Sequence, residues 1–241
     1  MLRDASGKTH DRRTVKSMTM EVFDKSSIKA YGRLIGNKVN IVRVGAAVHD
    51  KKGILRPTVA GLLMFGKTEE ILKEFPNFFL DYQERLNDDF GITYRVMGLN
   101  IFDFYNRVSK VIDDNIPTEL KTVAKEFLLS SLISADYYGV KGYVVLKTNS
   151  QINISSPGNY KIDIDYMKLE ESFEARNSNI SNMLKIINTT SDGIYSLRKR
   201  IRTIESFNPD RTITTIFLDD NLDVKADYML REKNYNLLNQ Y

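Results

Sequence analysis

Between Asn100 and Ser134 the chain carries two successive apolar patterns with the period of a helix, separated by a proline. Ile101, Phe104, Tyr105, Val108, Val111 and Ile112 recur at i, i+3, i+4, i+7, i+10 and i+11, with Asn100 as cap. Pro117 opens the second pattern, in which Leu120, Val123, Ala124, Phe127 and Leu128 share one stripe. Immediately afterwards the period drops to two. Residues 143–147 and 151–155 alternate around Thr148-Asn149-Ser150, a three-residue hairpin signal. Helices and strands that each own one apolar side bury it most simply by packing as layers. The expected class is therefore α/β, in the form of an α+β two-layer sandwich. Its sheet is mixed and mainly antiparallel, with the helices on one face.

The flanking segments fill in this frame. Residues 26–34 predict a short helix capped by Ser26 or Ser27, with Ile28, Tyr31 and Ile35 toward a core. Val39, Ile41 and Val44 leave strand and helix undecided. Pro57 opens the apolar run 59–65, which Gly66 closes, as in a short buried helix. Residues 77–82 and 92–96 read as an antiparallel pair, and Ile180, Met183, Leu184 and Ile187 as one more helix. Asp192 is placed to cap a helix through Ile194, Leu197, Ile201 and Ile204, and residues 211–218 read as a strand. The expected division is an N-terminal arm over 1–35 that leaves an upstream domain, a domain over 36–222, and a tail over 223–241.

Composition narrows the chemistry. There is no Cys, and His10 and His49 are the only histidines, which excludes disulfides, thiolate metal sites and cysteine nucleophiles. The apolar run 59–65 is far too short for a membrane span, and the first twenty residues lack an apolar signal region. A cytoplasmic protein with no membrane partner is the expectation. No Walker loop, paired catalytic carboxylates or Ser-His-Asp set is visible, and Gly61 and Gly66 do not fit a dinucleotide fingerprint. The net charge is +4. The densest basic run, Arg198, Lys199, Arg200 and Arg202, together with Arg12 and Arg13 of the arm, supplies the candidates for phosphate contact. A solvated helix surface is the plainer reading of that run, because no aromatics interleave it.

The stretch Lys125-Glu126-Phe127-Leu128-Leu129-Ser130-Ser131-Leu132-Ile133-Ser134-Ala135-Asp136-Tyr137 is the most informative for chemistry. Ser156-Pro157-Gly158, Ala175-Arg176-Asn177 and Gly193-Ile194 follow it, and Ala60-Gly61-Leu62-Leu63-Met64-Phe65-Gly66-Lys67 precedes it. Order and spacing resemble the C-terminal ATPase-like domain of AlbA-type (Schlafen-like) transcriptional regulators, also called RecG-like ATP-dependent DNA helicases. That resemblance implies a degenerate Bergerat-type fold. Glu126 would stand at the general-base position and Ser130 at the Mg²⁺-binding Asn position. Ser134, Asp136, Ser156, Gly158, Arg176, Asn177 and Gly193 would line the nucleotide site.

The departures fall on the chemistry. Ser130 and Ser134 replace Asn and His, Ser156 replaces the Asn of the strand-end motif, and a single Gly193 remains of a two-glycine loop. A hydroxyl is a poor substitute for an amide oxygen around Mg²⁺. The resemblance thus implies ATPase ancestry without turnover: a regulatory, self-associating domain with no metal and no cofactor, joined to DNA through an upstream domain. A homodimer is expected, with Tyr228, Leu230, Tyr235, Leu237 and Leu238 of the tail as packing residues. Two alternatives stand beside it: a working ATP- and Mg²⁺-binding domain with Glu126 as base, and direct nucleic-acid binding. The bland reading of Glu126 is a surface carboxylate, of Asp136 a helix-end residue, and of Arg176 and Asn177 structural pairing.

Overall fold

The computed structural model describes residues 9–78, 80–85, 94–115, 118–137, 143–148, 151–157, 177–187, 203–208 and 211–217. Two single-turn 3-10 helices, His10–Arg12 and Met20–Val22, lead into α1 (Lys25–Leu34). A ribbon of β1 (Ala47–His49) and β2 (Leu55–Pro57) precedes α2 (Val59–Phe65) and α3 (Thr68–Glu74). Then come β3 (Leu80–Glu84), β4 (Tyr94–Met97), α4 (Ile101–Asn115), α5 (Thr118–Ser134), β5 (Tyr143–Lys147) and β6 (Gln151–Pro157). Helix α6 (Ser178–Ile187) and the hairpin β7 (Thr203–Asn208) and β8 (Arg211–Phe217) complete the described elements.

The main sheet has six strands in the order β4-β3-β5-β6-β8-β7. All neighbours are antiparallel except β3 and β5, which pair in parallel from Leu80↔Tyr143 to Glu84↔Lys147. Residues two apart share a face. Leu80 and Tyr82, Tyr143 and Val145, and Ile152 and Ile154 are accordingly buried together. Helices α4 and α5 cover that face. Phe104 packs edge-on against Tyr143 at 5.3 Å, and the Ser131 and Tyr143 hydroxyls are hydrogen-bonded to each other. This is the α+β arrangement of a mixed, mainly antiparallel sheet with helices that the two periods predict.

Among the residues expected to be buried, Phe104, Val108 and Leu128 are, while the side chains of Leu120 and Phe127 lie outside the described set. Helix α5 is apolar beyond one stripe, with Leu129, Leu132 and Ile133 buried as well. It is enclosed by α4, α6 and the sheet, so several of its sides meet protein. Helix α2 is the centre of the other half, and all seven of its residues are buried. Gly61 makes this possible, because a Cβ there would stand 1.9 Å from the Ala46 carbonyl oxygen.

Several local expectations change. The arm does not hold as an arm: from Thr9 onward it is part of the core. Val15, Met18, Val22, Phe23 and Tyr31 belong to the same buried cluster as α2, α4 and α6. Thr14 bridges to Thr58 and Phe23 to Gly66. Residues 9–14 contain no apolar side chain to signal this; the apolar residues from Val15 onward are buried by packing on the core, and Asp11 adds a polar contact to α6 described below. The cap of α1 is Asp24, whose carboxylate accepts from the Ser26 N–H at 2.8 Å. Pro57 ends β2, and Thr58 caps α2 by accepting from the Gly61 N–H at 3.0 Å. Ile41 and Val44 lie in turns and Val39 in the irregular stretch just before them, and all three pack against the core. Ile204 sits in β7, paired with Thr215, because 203–208 pair antiparallel with β8, which begins at Arg211. The tail over 223–241 lies outside the described residues.

Candidate functional site

Helix α5 carries Glu126, Ser130 and Ser134 at four-residue steps, which puts them on one side of the helix, with Ser134 its last residue. Their side chains lie outside the described set, as do Gly158, Arg176, Gly193, Arg198, Lys199, Arg200 and Arg202 altogether. The described candidates are Asp136, Ser156, Asn177, Arg12 and Arg13. All but Ser156 gather where the first 3-10 turn meets the end of α5 and the start of α6.

Asn177 precedes α6 and is fully buried. Its amide nitrogen donates to the Ile133 and Ala135 carbonyls, both at 2.8 Å. The last carbonyls of a helix have no partner within it, so Asn177 supplies one and locks the end of α5 to the start of α6. Its amide oxygen is buried without a hydrogen-bond partner among the described residues. Structural pairing is therefore what the Asn177 amide does.

The start of α6 holds the residue that the sequence did not disclose. The Asp11 carboxylate accepts from the backbone N–H of Asn179 at 2.7 Å and of Ile180 at 3.0 Å. It also accepts from the Thr9 hydroxyl at 2.5 Å. Asp11 is completely buried, and burial raises its pKa above the usual carboxylate value, against the lowering effect of these donors and of Arg12. A helix N-terminus offers free N–H groups and the positive end of the dipole, which suits an anion. Here the protein's own carboxylate takes that place.

The neighbours complete the junction. Arg12 Nε donates to the Ser178 hydroxyl at 2.9 Å, and Thr9 and Ser178 share a hydrogen bond of 2.5 Å. Arg13 pairs with Glu74 at 3.3 Å. His10 is held below its ordinary pKa, first by burial and then by the charge of Arg13; Asp11, Asp136 and Glu74 oppose this. Asp136 is half-buried beside this group. Arg12 and Arg13, expected to reach phosphates, thus have partners within the protein. Ser156 lies apart and buried in β6, paired in register with Thr212.

Two grooves formed by described residues lie elsewhere, and Asp136, Ser156 and Asn177 line neither. One, of about 530 Å³, runs between β3 and α4 along Tyr82, Glu84, Asp103, Arg107, Lys110 and Asp114. Asp103 in it accepts from Ser27 at 2.6 Å and Asn100 at 2.9 Å, and burial raises its pKa. The other, of about 570 Å³, follows α1.

The described architecture is that of an α+β domain whose first turn is clamped to α6 by a buried carboxylate. Residues 1–81 match a family model described as a domain of unknown function (DUF8451). The match takes in Asp11, α1, α2 and the start of β3. Among solved structures, the crystal structure of the DIP2311 protein from Corynebacterium diphtheriae is similar, with a TM-score of 0.62 and 14% identity. The likeness covers 88% of this chain and 40% of that one, so the chain spans about two fifths of its length. At that identity it speaks for the fold. No curated protein matches. Among the described residues no helix is long and apolar enough to cross a membrane.

Proposed function

We propose that the chain is a non-catalytic regulatory and self-association domain of a DNA-associated, cytoplasmic transcriptional regulator, carrying a degenerate nucleotide site. The motif resemblance supplies the class. The observation that carries the loss of chemistry is the Asp11 carboxylate on the Asn179 and Ile180 N–H groups. A phosphate arriving at this helix start meets a buried carboxylate, and like charges at that distance repel. Asn177, the one described residue of the Arg176-Asn177 motif, donates its amide hydrogens to the Ile133 carbonyl of α5 and the Ala135 carbonyl just past it. The same contacts suggest the domain's task. They tie the entering chain at Thr9–Arg13 rigidly to α5 and α6, so that a displacement of an upstream domain reaches the core.

ATP and ADP titrations with and without Mg²⁺ test this. Binding at 100 times the dissociation constant adds about 2.7 kcal/mol to stability. The expected result is no Mg²⁺-dependent phosphate release and no melting shift of that size. Release that Glu126→Gln abolishes overturns the reading in favour of a working ATPase. Light scattering tests self-association: a dimer is expected, and a monomer at high micromolar concentration removes that part.

A further inference from the structure

The chain from Lys25 to His49 contains Lys25, Lys29, Arg33, Lys38 and Arg43 and no acidic residue. The whole chain has a net charge of only +4, so the rest is slightly acidic. Four of these cations, Lys25, Lys29, Arg33 and Lys38, line the groove along α1, and its lining residues include no acid. All four are exposed, and none forms an ion pair with a described residue. The contrast is with Arg13, Arg56, Arg95 and Lys125, each of which has a carboxylate partner.

We propose that this groove binds the phosphate backbone of duplex DNA, without reading sequence. Lys25, Lys29 and Arg33 follow one another at four-residue steps, about 6 Å apart along the helix axis, so the row spans about 12 Å. One strand of B-DNA places a phosphate every 3.4 Å of axis, and a row of that length faces three or four of them. Gly32 and Gly36 keep the wall between the cations low, and Gly36 sits at φ +67° with open space where a side chain would be. No aromatic residue lines the groove. Single strands are held by stacking bases on aromatic rings, whereas a duplex has its bases stacked already. A membrane surface is the poorer occupant. An interfacial helix lays its apolar side in lipid, but Tyr31 is fully buried and Ile28 and Ile35 pack on the core.

The groove shares no residue with the Asp11 junction, so it stands or falls separately from the absence of turnover. The test is fluorescence anisotropy of the full chain with a 24-base-pair duplex between 50 and 200 mM salt. Four phosphate contacts give a slope of log K against log salt near −3.6, a loss of about a hundredfold across that range. The triple variant Lys25→Gln, Lys29→Gln, Arg33→Gln should retain its melting temperature and lose about 2.7 of that slope. The control Lys51→Gln, Lys52→Gln, at exposed lysines of the β1–β2 turn, should keep it. The proposal is overturned by an absence of duplex binding at 50 mM salt or by an unchanged slope in the triple variant. An equal loss in the control overturns it too, as does tighter binding to the matching single strand, to inorganic phosphate or to phosphatidylserine vesicles.

Discussion

The start of α6 and the flank of α1 both present positive charge, and the fold treats them in opposite ways. At α6 the helix end is satisfied from 168 residues away by Asp11, and the arginines beside it are paired with Ser178 and Glu74. Along α1 the cations stand in water without partners among the described residues. Charge at the first place holds the architecture together. At the second it contributes little to folding and remains available to a polyanion.

The contrast is sharpest in stability. Asp11→Ala leaves two N–H groups at the start of α6, the buried Ile180 and the part-buried Asn179, without their acceptor, at the cost of unsatisfied polar groups. A loss of about 3 kcal/mol is expected in urea unfolding, which for a chain of this size lowers the melting point by on the order of 6–12 °C. Asp11→Asn keeps an acceptor and drops only the charge, which burial already disfavours, and should cost less than half as much. Equal losses in the two variants would mean that charge, and not hydrogen bonding, holds the junction.

Gly45 is the next support. Its φ is +82°, its carbonyl accepts from Asn179 Nδ2 at 3.0 Å and from Thr58 Oγ1 at 2.7 Å, and a Cβ would meet Asn179 Nδ2 at 2.7 Å. Gly45→Ala should cost about 1–2 kcal/mol, the ordinary penalty of a left-handed conformation for an L-residue. A neutral effect would show that the turn can leave the left-handed conformation and that the Asn179 contact can be given up.

These two supports show where the sequence runs short. Helices α4, α5 and α6 and the β5–β6 hairpin are legible because their signals are local: apolar periodicity, the Asn100 cap that accepts from the Asp103 N–H at 2.9 Å, and a hairpin spacing. Asp11 sends no such signal, since its partners are defined only once the chain has folded. The parallel β3–β5 pair is equally silent, being set by the crossover through α4 and α5. Strand β7 is hidden because in sequence Ile204 continues a helical period with Ile194, Leu197 and Ile201, and at Ile204 pairing with Thr215 overrides it. Within the candidate site, the positions of Glu126, Ser130 and Ser134 along α5 follow from periodicity, whereas the locking role of Asn177 required knowing which carbonyls end α5.

The junction should also respond to pH. His10 has a lowered pKa in the folded state, so the unfolded chain binds its proton more tightly. The corresponding stability is complete above the ordinary value of 6.5 and declines as pH falls from there through the folded value. His10→Gln should flatten that limb of the melting profile. Arg13→Gln, which removes the second cause of the shift, should move the His10 titration upward in NMR, with His49→Gln identifying the signal. An unmoved titration would detach Arg13 from the junction's electrostatics.

The smallest effect has the opposite sign. Lys25 is the first residue of α1, and the first turn of that helix contains no acid. A cation there faces the positive end of the helix dipole, an arrangement worth about 0.3–1 kcal/mol against the fold. Lys25→Glu should therefore stabilise the protein by about 0.5 kcal/mol while it removes one phosphate contact and places a repelling charge in the groove. Melting temperature and duplex affinity would then move in opposite directions in one variant, the former up by about 1–2 °C. At the junction no substitution should do this, because there the charged groups serve the fold itself. A loss of stability in Lys25→Glu would place Lys25 with Asp11 as a structural residue and erase the distinction between the two helix ends.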